Sequence, residues 1–133
     1  MLGQFISKGQ SREVYYLRDD KNYIVKKELK PHIRHNRKEY FSYLKLVKMN
    51  QAHWVAPCFL VGAFLIMPYC KKPEKFPKLV PNFLKDTHKK NFGILDDKFV
   101  CFDYPVLNDL KEFELVRPLW VKNWPSVYLI LEW

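Results

Sequence analysis

Between Asp86 and Asp103, in the stretch DTHKKNFGILDDKFVCFDYP, the chain sets an acid, a histidine, an amide and a further acid at separated positions. Asp86, His88 and Asn91 share one short loop, and Asp103 follows the apolar run FVCF. Carboxylate and amide oxygens are hard donors suited to a divalent cation, and a neighbouring carboxylate can accept a hydroxyl proton. Such a set suits chemistry on a phosphate. Asp96 and Asp97, between Ile94-Leu95 and Lys98-Phe99, read instead as the turn of a hairpin.

The elements that must position these residues make an α+β chain. An apolar run near Phe5, then EVYYL, then NYIVKK are separated by turn-forming stretches, which predicts a three-stranded antiparallel meander. Tyr40, Phe41, Leu44 and Val47 then recur at helical spacing with basic residues largely opposite. Asn36 is placed to cap this helix, with Glu39 at the capping-box position. APCFLVGAFLIMPYC predicts two buried strands around a turn at Gly62, and Pro73, Pro77 and Pro81 then leave no room for a long helix. VLNDLKEFELV, 106–116, is expected to be helical, whereas the tail from Arg117 to Trp133 carries no assignable pattern. Trp120, Trp124 and Trp133 are candidates to close a core, pair two chains or contact a partner.

At 133 residues, 48% hydrophobic and 17% aromatic, the chain can bury a core as a single domain, 1–133, with a strand-rich part over 1–70 and the remainder over 71–133. Lys and Arg outnumber Asp and Glu by 23 to 14, a formal net charge of +9 that favours polyanionic partners. Cys58, Cys70 and Cys101 form no CxxC pair and sit in apolar runs, so they read as core residues of a protein in a reducing cytoplasm. MLGQFISKGQSREV lacks a signal pattern, and no Lys, Arg, Asp or Glu lies between Lys48 and Lys71. That uncharged span is interrupted by Asn50, Gln51, His53, Pro57, Gly62 and Pro68, so no membrane helix is expected.

The order of motifs resembles a protein kinase. Asp86 and Asn91 have the separation of the catalytic-loop Asp and Asn in H-R-D-x-x-x-x-N, and Asp103 stands where the D-F-G aspartate would follow. The segment D-T-H-K-K-N is closer still to the D-x-H-x-x-N loop of aminoglycoside-phosphotransferase-type and related atypical kinases. Upstream, SKGQSREVYYL stands in the place of a Gly-rich loop, YIVKKE resembles the V-A-I-K strand, and FLIMPYC resembles the strand leading to the hinge. This resemblance implies a minimal kinase-like fold over roughly 3–110: an antiparallel N-lobe sheet, one αC-type helix and a severely truncated C-lobe. Small bacteriophage and bacterial-effector kinase-like proteins are nearest in scale.

The resemblance also assigns roles. Gly9 and Lys26 would bind ATP phosphates, Glu39 would pair with Lys26, and Met67, Pro68 and Cys70 would face the adenine. Asn91 and Asp103 would hold Mg²⁺, with Asp86 orienting the acceptor hydroxyl and His88 supporting it. The pattern departs where Leu84 and Lys85 replace His-Arg, where Asp103-Tyr104-Pro105 replaces D-F-G, and where Gly9 alone remains of the loop glycines. Only residues 71–85 lie between the hinge-like segment and Asp86, too few for a peptide-docking lobe. Three functions follow, in this order. The first is a phosphotransferase acting on a bound protein or on itself. The second is a weak or inactive kinase-like protein that binds and inhibits a target through Arg34, Arg37, Lys38, Lys45 and Lys48 or the aromatic tail. The third is a non-specific nucleic-acid binder, resting on charge and aromatics alone.

Overall fold

The structure, a computed structural model, describes residues 1–109 and 112–121. Five strands form one antiparallel sheet: β1 (Leu2–Lys8), β2 (Arg12–Leu17), β3 (Asp20–Glu28), β4 (Phe59–Val61) and β5 (Phe64–Pro68), in the order β1-β2-β3-β5-β4. The expected meander is its first half. The β2–β3 turn is tighter than the charged run suggests, because Leu17 already pairs with Asp20 and Asp19 takes a left-handed φ of 67°. Asp supports that conformation better than most non-glycine residues.

One helix, α1 (His35–Lys48), packs on the sheet. Its buried residues are Asn36, Glu39 and Leu46, whereas Phe41, Leu44 and Val47 are exposed. The expected apolar stripe is therefore turned outward, apart from the half-buried Tyr40. Asn36 is not the cap either: Arg34, in a left-handed conformation, takes that position with no side-chain hydrogen bond. Asn36 lies inside the helix, and its amide donates to the Lys26 and Ala63 carbonyls, both at 2.8 Å. Polar partners on β3 outcompete the apolar pattern in choosing the buried face.

The strands around Gly62 form as expected, with Gly62 at φ 60°. β5 is buried, but β4 is an edge strand whose Phe59 and Val61 are exposed. A second hairpin, formed by β7 (Phe92–Leu95) and β8 (Lys98–Cys101), turns at Asp96 and Asp97. Both turn residues have positive φ, the geometry that matches a two-residue hairpin turn to strand twist. The stretch 106–116 is not a helix in its described residues. Leu107 bridges to Leu84, Asn108 donates to the Phe83 carbonyl, and β9 (Leu115–Val116) pairs with β6 (Val80–Pro81). These distant backbone partners override the local pattern, and Leu110 and Lys111 lie outside the described residues.

The core joins the sheet, α1 and the hairpin through Leu46, Leu65, Met67, Phe92, Val100 and Tyr104. Trp120 closes one side of it, edge-on to Phe76, Phe92 and Phe99, and donates its indole N–H to the Pro77 carbonyl. Trp124 and Trp133 lie outside the described residues. Among the described residues, no helix is long and apolar enough to cross a membrane.

The hairpin is fastened to residues 70–71 by reciprocal hydrogen bonds between Lys71 and Ile94, at 2.9 and 2.8 Å. A Cβ on Gly93 would stand 2.6 Å from the Cys70 Cβ and 3.0 Å from the Lys71 carbonyl oxygen. Gly93→Ala is accordingly expected to lower stability by about 1–3 kcal/mol through overpacking. Gly9→Ala, whose added Cβ would stand 3.7 Å from the Arg12 carbonyl oxygen, is expected to stay within about 1 kcal/mol of the parent. Urea unfolding of the two variants tests the contrast.

Candidate active site

A cleft of about 660 Å³ opens between the sheet and the segments that enter and leave the second hairpin. Apolar side chains Ile6, Val14 and Ile24 form one wall, and Lys26, Asp86, Asn91 and Asp103 supply polar groups. The Gly9 loop, Pro68 and Cys70 line this space as well. Residues far apart in the chain thus meet in one concavity. The size and the mixture of apolar walls with a few polar groups are those of a small-molecule site.

Lys26 lies on β3 facing α1, which brings its Nζ to 2.7 Å from Glu39 Oε1 and to 2.5 Å from the Phe102 carbonyl oxygen. Glu39 is fully buried. Burial pushes its pKa up, but Lys26 and Arg12, together with the Tyr104 N–H, outweigh that and hold it below the ordinary carboxylate value. The carboxylate is therefore ionised at neutral pH, and it orders the lysine ammonium at the cleft wall.

Arg12, the first residue of β2, was not singled out by the sequence pattern. It is buried, and its Nη1 donates to Glu39 Oε1 at 2.9 Å and to Asn36 Oδ1 at 3.2 Å. Its Nη2 donates to Asp103 Oδ1 at 2.7 Å. Counting back from Val14 in the glycine-loop pattern G-x-G-x-x-G-x-V, Arg12 occupies the place of the last glycine. An arginine where a glycine is expected, directly before a strand, was the available signal. Burial alone would lower the Arg12 pKa, but Glu39 and Asp103 raise it further than burial lowers it.

Asp86 and His88 form an exposed pair, the carboxylate accepting from both the His88 ring and the His88 backbone N–H. Slight burial pushes the Asp86 pKa up, and these hydrogen bonds, with one from Asn91, bring it below its ordinary value. His88 does not line the cleft; it contributes by holding Asp86. Asn91 is buried, and its amide donates to the Asp86 carbonyl at 3.2 Å. The Phe102 N–H donates to the Asn91 carbonyl at 2.8 Å, which ties the 86–91 loop to the residue before Asp103.

Tyr104 follows Asp103 into the core. Its N–H donates to Glu39 Oε2 at 2.5 Å, and its hydroxyl donates to the Ala56 carbonyl. Burial pushes its phenol pKa strongly up, so it stays neutral. At the opposite end, Met67 is fully buried in the core and does not reach the cleft, while Pro68 and Cys70 do. The Tyr69 N–H is occupied by the Asn22 carbonyl at 2.8 Å. The Cys70 thiol is pushed up to about 11 by burial and is uncharged at neutral pH. Cys58, Cys70 and Cys101 are all free.

Among the described residues, no group of three or more His, Cys, Asp or Glu side chains forms a metal cage. Asn91 and Asp103 offer one amide and one carboxylate. That is a fit for Mg²⁺, which keeps waters and phosphate oxygens alongside one or two protein ligands. No family model matches this chain, and a search of curated proteins finds no relative.

Because the folded pKa of Glu39 is depressed, its contribution to stability is complete above the unfolded value near 4.5 and is lost as pH falls through the folded value. Glu39→Gln leaves two buried cations without that counter-charge, so a loss of about 3 kcal/mol or more is expected at pH 7. The gap to the parent should narrow as pH drops below about 4. Urea unfolding of both proteins at pH 7 and pH 3.5 checks this, and a gap independent of pH would contradict it.

Proposed function

We propose that this protein is an ATP- and Mg²⁺-dependent phosphotransferase of minimal kinase-like architecture, acting on a bound protein or on its own chain. The observation that carries the reading is the convergence of Gly9, Lys26, Asp86, Asn91 and Asp103 on one cleft, with Lys26 held by a buried glutamate. An antiparallel sheet bearing one helix, followed by a hairpin that delivers Asn91 and Asp103, is the arrangement such a site needs.

In this reading, the Lys26 ammonium pairs with nucleotide phosphate oxygens while Glu39 fixes its direction. The loop at Gly9 covers the phosphates, and the apolar residues Ile6, Val14 and Ile24 receive the base. Asp86, ionised and oriented by His88, accepts a hydrogen bond from the acceptor hydroxyl and draws that hydroxyl's oxygen toward the γ-phosphorus. Mg²⁺, held by Asn91 and Asp103, would neutralise phosphate charge. The described residues after Cys70 form short strands and loops, and in this reading the acceptor is presented by a partner surface or by the chain itself.

One observation favours a second reading, a kinase-like binding protein with little or no catalysis. Asp103 Oδ1 is already engaged by Arg12 at 2.7 Å, so a metal would have to share that carboxylate with a guanidinium or displace it.

Incubation with γ-labelled ATP and Mg²⁺ separates the two. The phosphotransferase reading expects label on a partner, a small hydroxyl acceptor or the chain, reduced about 100-fold or more by Asp86→Asn, and equally lost in Asp103→Ala. No incorporation into any acceptor, together with a melting temperature unmoved by Mg-ATP, would sink it.

A further inference from the structure

We propose that Arg12 competes with a divalent cation for Asp103, and releases that carboxylate only when a phosphate takes its place on the guanidinium. The inference rests on the cleft being the phosphoryl-transfer site, and adds to it a residue that couples phosphate binding to metal binding.

The two ends of the guanidinium differ. Nη1 is fixed on buried groups, Glu39 at 0% side-chain exposure and the Asn36 amide oxygen. Nη2 meets Asp103, whose side chain is 40% exposed and lines the cleft. One half of Arg12 is therefore an anchor, and the other half makes an exchangeable contact on the ligand-facing wall. A planar guanidinium serves carboxylate and phosphate oxygens with the same fork of donors, so the exchange needs no new chemistry.

Charge balance sets the order of events. Arg12 and Lys26 carry two positive charges, and Glu39 and Asp103 carry two negative ones, linked in a chain in which Lys26 meets Glu39, Glu39 meets Arg12, and Arg12 meets Asp103. A divalent cation added alone would meet two resident cations while displacing one from its partner. Polyphosphate added alone would set its own negative charge beside the Asp103 carboxylate. When both enter together, Asp103 turns to the metal and Arg12 to a phosphate oxygen, and every charge keeps an opposite partner. Metal and phosphate are thus bound cooperatively, and neither is bound well without the other.

The loop is built to transmit the exchange. The Gly9 N–H donates to the Arg12 carbonyl at 2.8 Å, closing the loop on Arg12 itself. Ser11, the preceding residue, is hydrogen-bonded to His35 at the start of α1. Arg12 and the cover over the cleft therefore share one backbone turn.

Titration with Mn²⁺ alone, followed by the paramagnetic signal of the free ion, is the direct test. Arg12→Gln should bind Mn²⁺ roughly three- to tenfold tighter than the parent, because Asp103 loses its competitor. Arg12→Lys, which keeps a cation opposite Glu39, should fall between them. Equal or weaker Mn²⁺ binding by both variants overturns the proposal. Should Arg12→Gln fail to fold, Asp103→Asn decides through metal-free ATP binding in EDTA. Freeing the guanidinium should then tighten ATP several-fold, and unchanged or weaker binding overturns the proposal. A parent protein that binds no ATP with or without Mg²⁺ would sink the phosphotransferase reading, while the Mn²⁺ comparison would still decide whether Arg12 guards Asp103.

Discussion

The Glu39 carboxylate is the point on which three parts of the molecule converge. Oε1 receives Lys26 from β3 and Arg12 from β2, and Oε2 receives the Tyr104 N–H that follows β8. The helix that carries Glu39 is thereby locked onto the sheet on one side and onto the exit from the hairpin on the other. A carboxylate with no exposure to water is tolerable only when its charge and lone pairs are matched so closely, since desolvation costs several kcal/mol per ion. The same requirement explains the orientation of α1: positions 36, 39 and 46 face inward, although Phe41, Leu44 and Val47 offer a more apolar face.

A second constraint fixes the far side of the cleft. The β7–β8 hairpin is fastened to residues 70–71 through Gly93 and the Lys71–Ile94 hydrogen bonds. It is supported from behind by Phe76, Phe92, Phe99 and Trp120, whose rings stack or meet edge to face. Asn91 at its start and Asp103 beyond its end are therefore set against Lys26 by backbone pairing and aromatic packing, with no large helical layer beneath them among the described residues. Tyr104, tethered at both its N–H and its hydroxyl, leaves the Asp103 backbone little freedom to rearrange. Adjustment in the site then falls on side chains such as the 40%-exposed Asp103 carboxylate.

Charge outside the network points the same way. Lys8, Lys85 and Lys90 stand around the cleft, and the whole chain carries +9. The exposed Asp86 also lines the cleft, but basic side chains outnumber acidic ones there, a balance that favours anions.

Much of this was legible in the chain itself. Val, Ile and Tyr alternating with turn residues specify strands, Asp96-Asp97 and Gly62 specify tight turns, and the 86–103 spacing places its polar residues around a hairpin, because these depend on neighbours close in sequence. The Lys26–Glu39 pair was likewise readable from motif order. What tertiary structure alone decided depends on partners far away in the chain. Arg12 meets Asp103 ninety-one positions later, which no local pattern encodes. Asn36 leaves the cap for the interior because the Lys26 and Ala63 carbonyls need its amide. Residues 115–116 become a strand because they pair with 80–81, and Met67 turns into the core while Pro68 and Cys70 reach the cleft. A buried charge or an unpaired backbone group must find its partner wherever the fold supplies one, and that demand outweighs the modest preferences of local sequence.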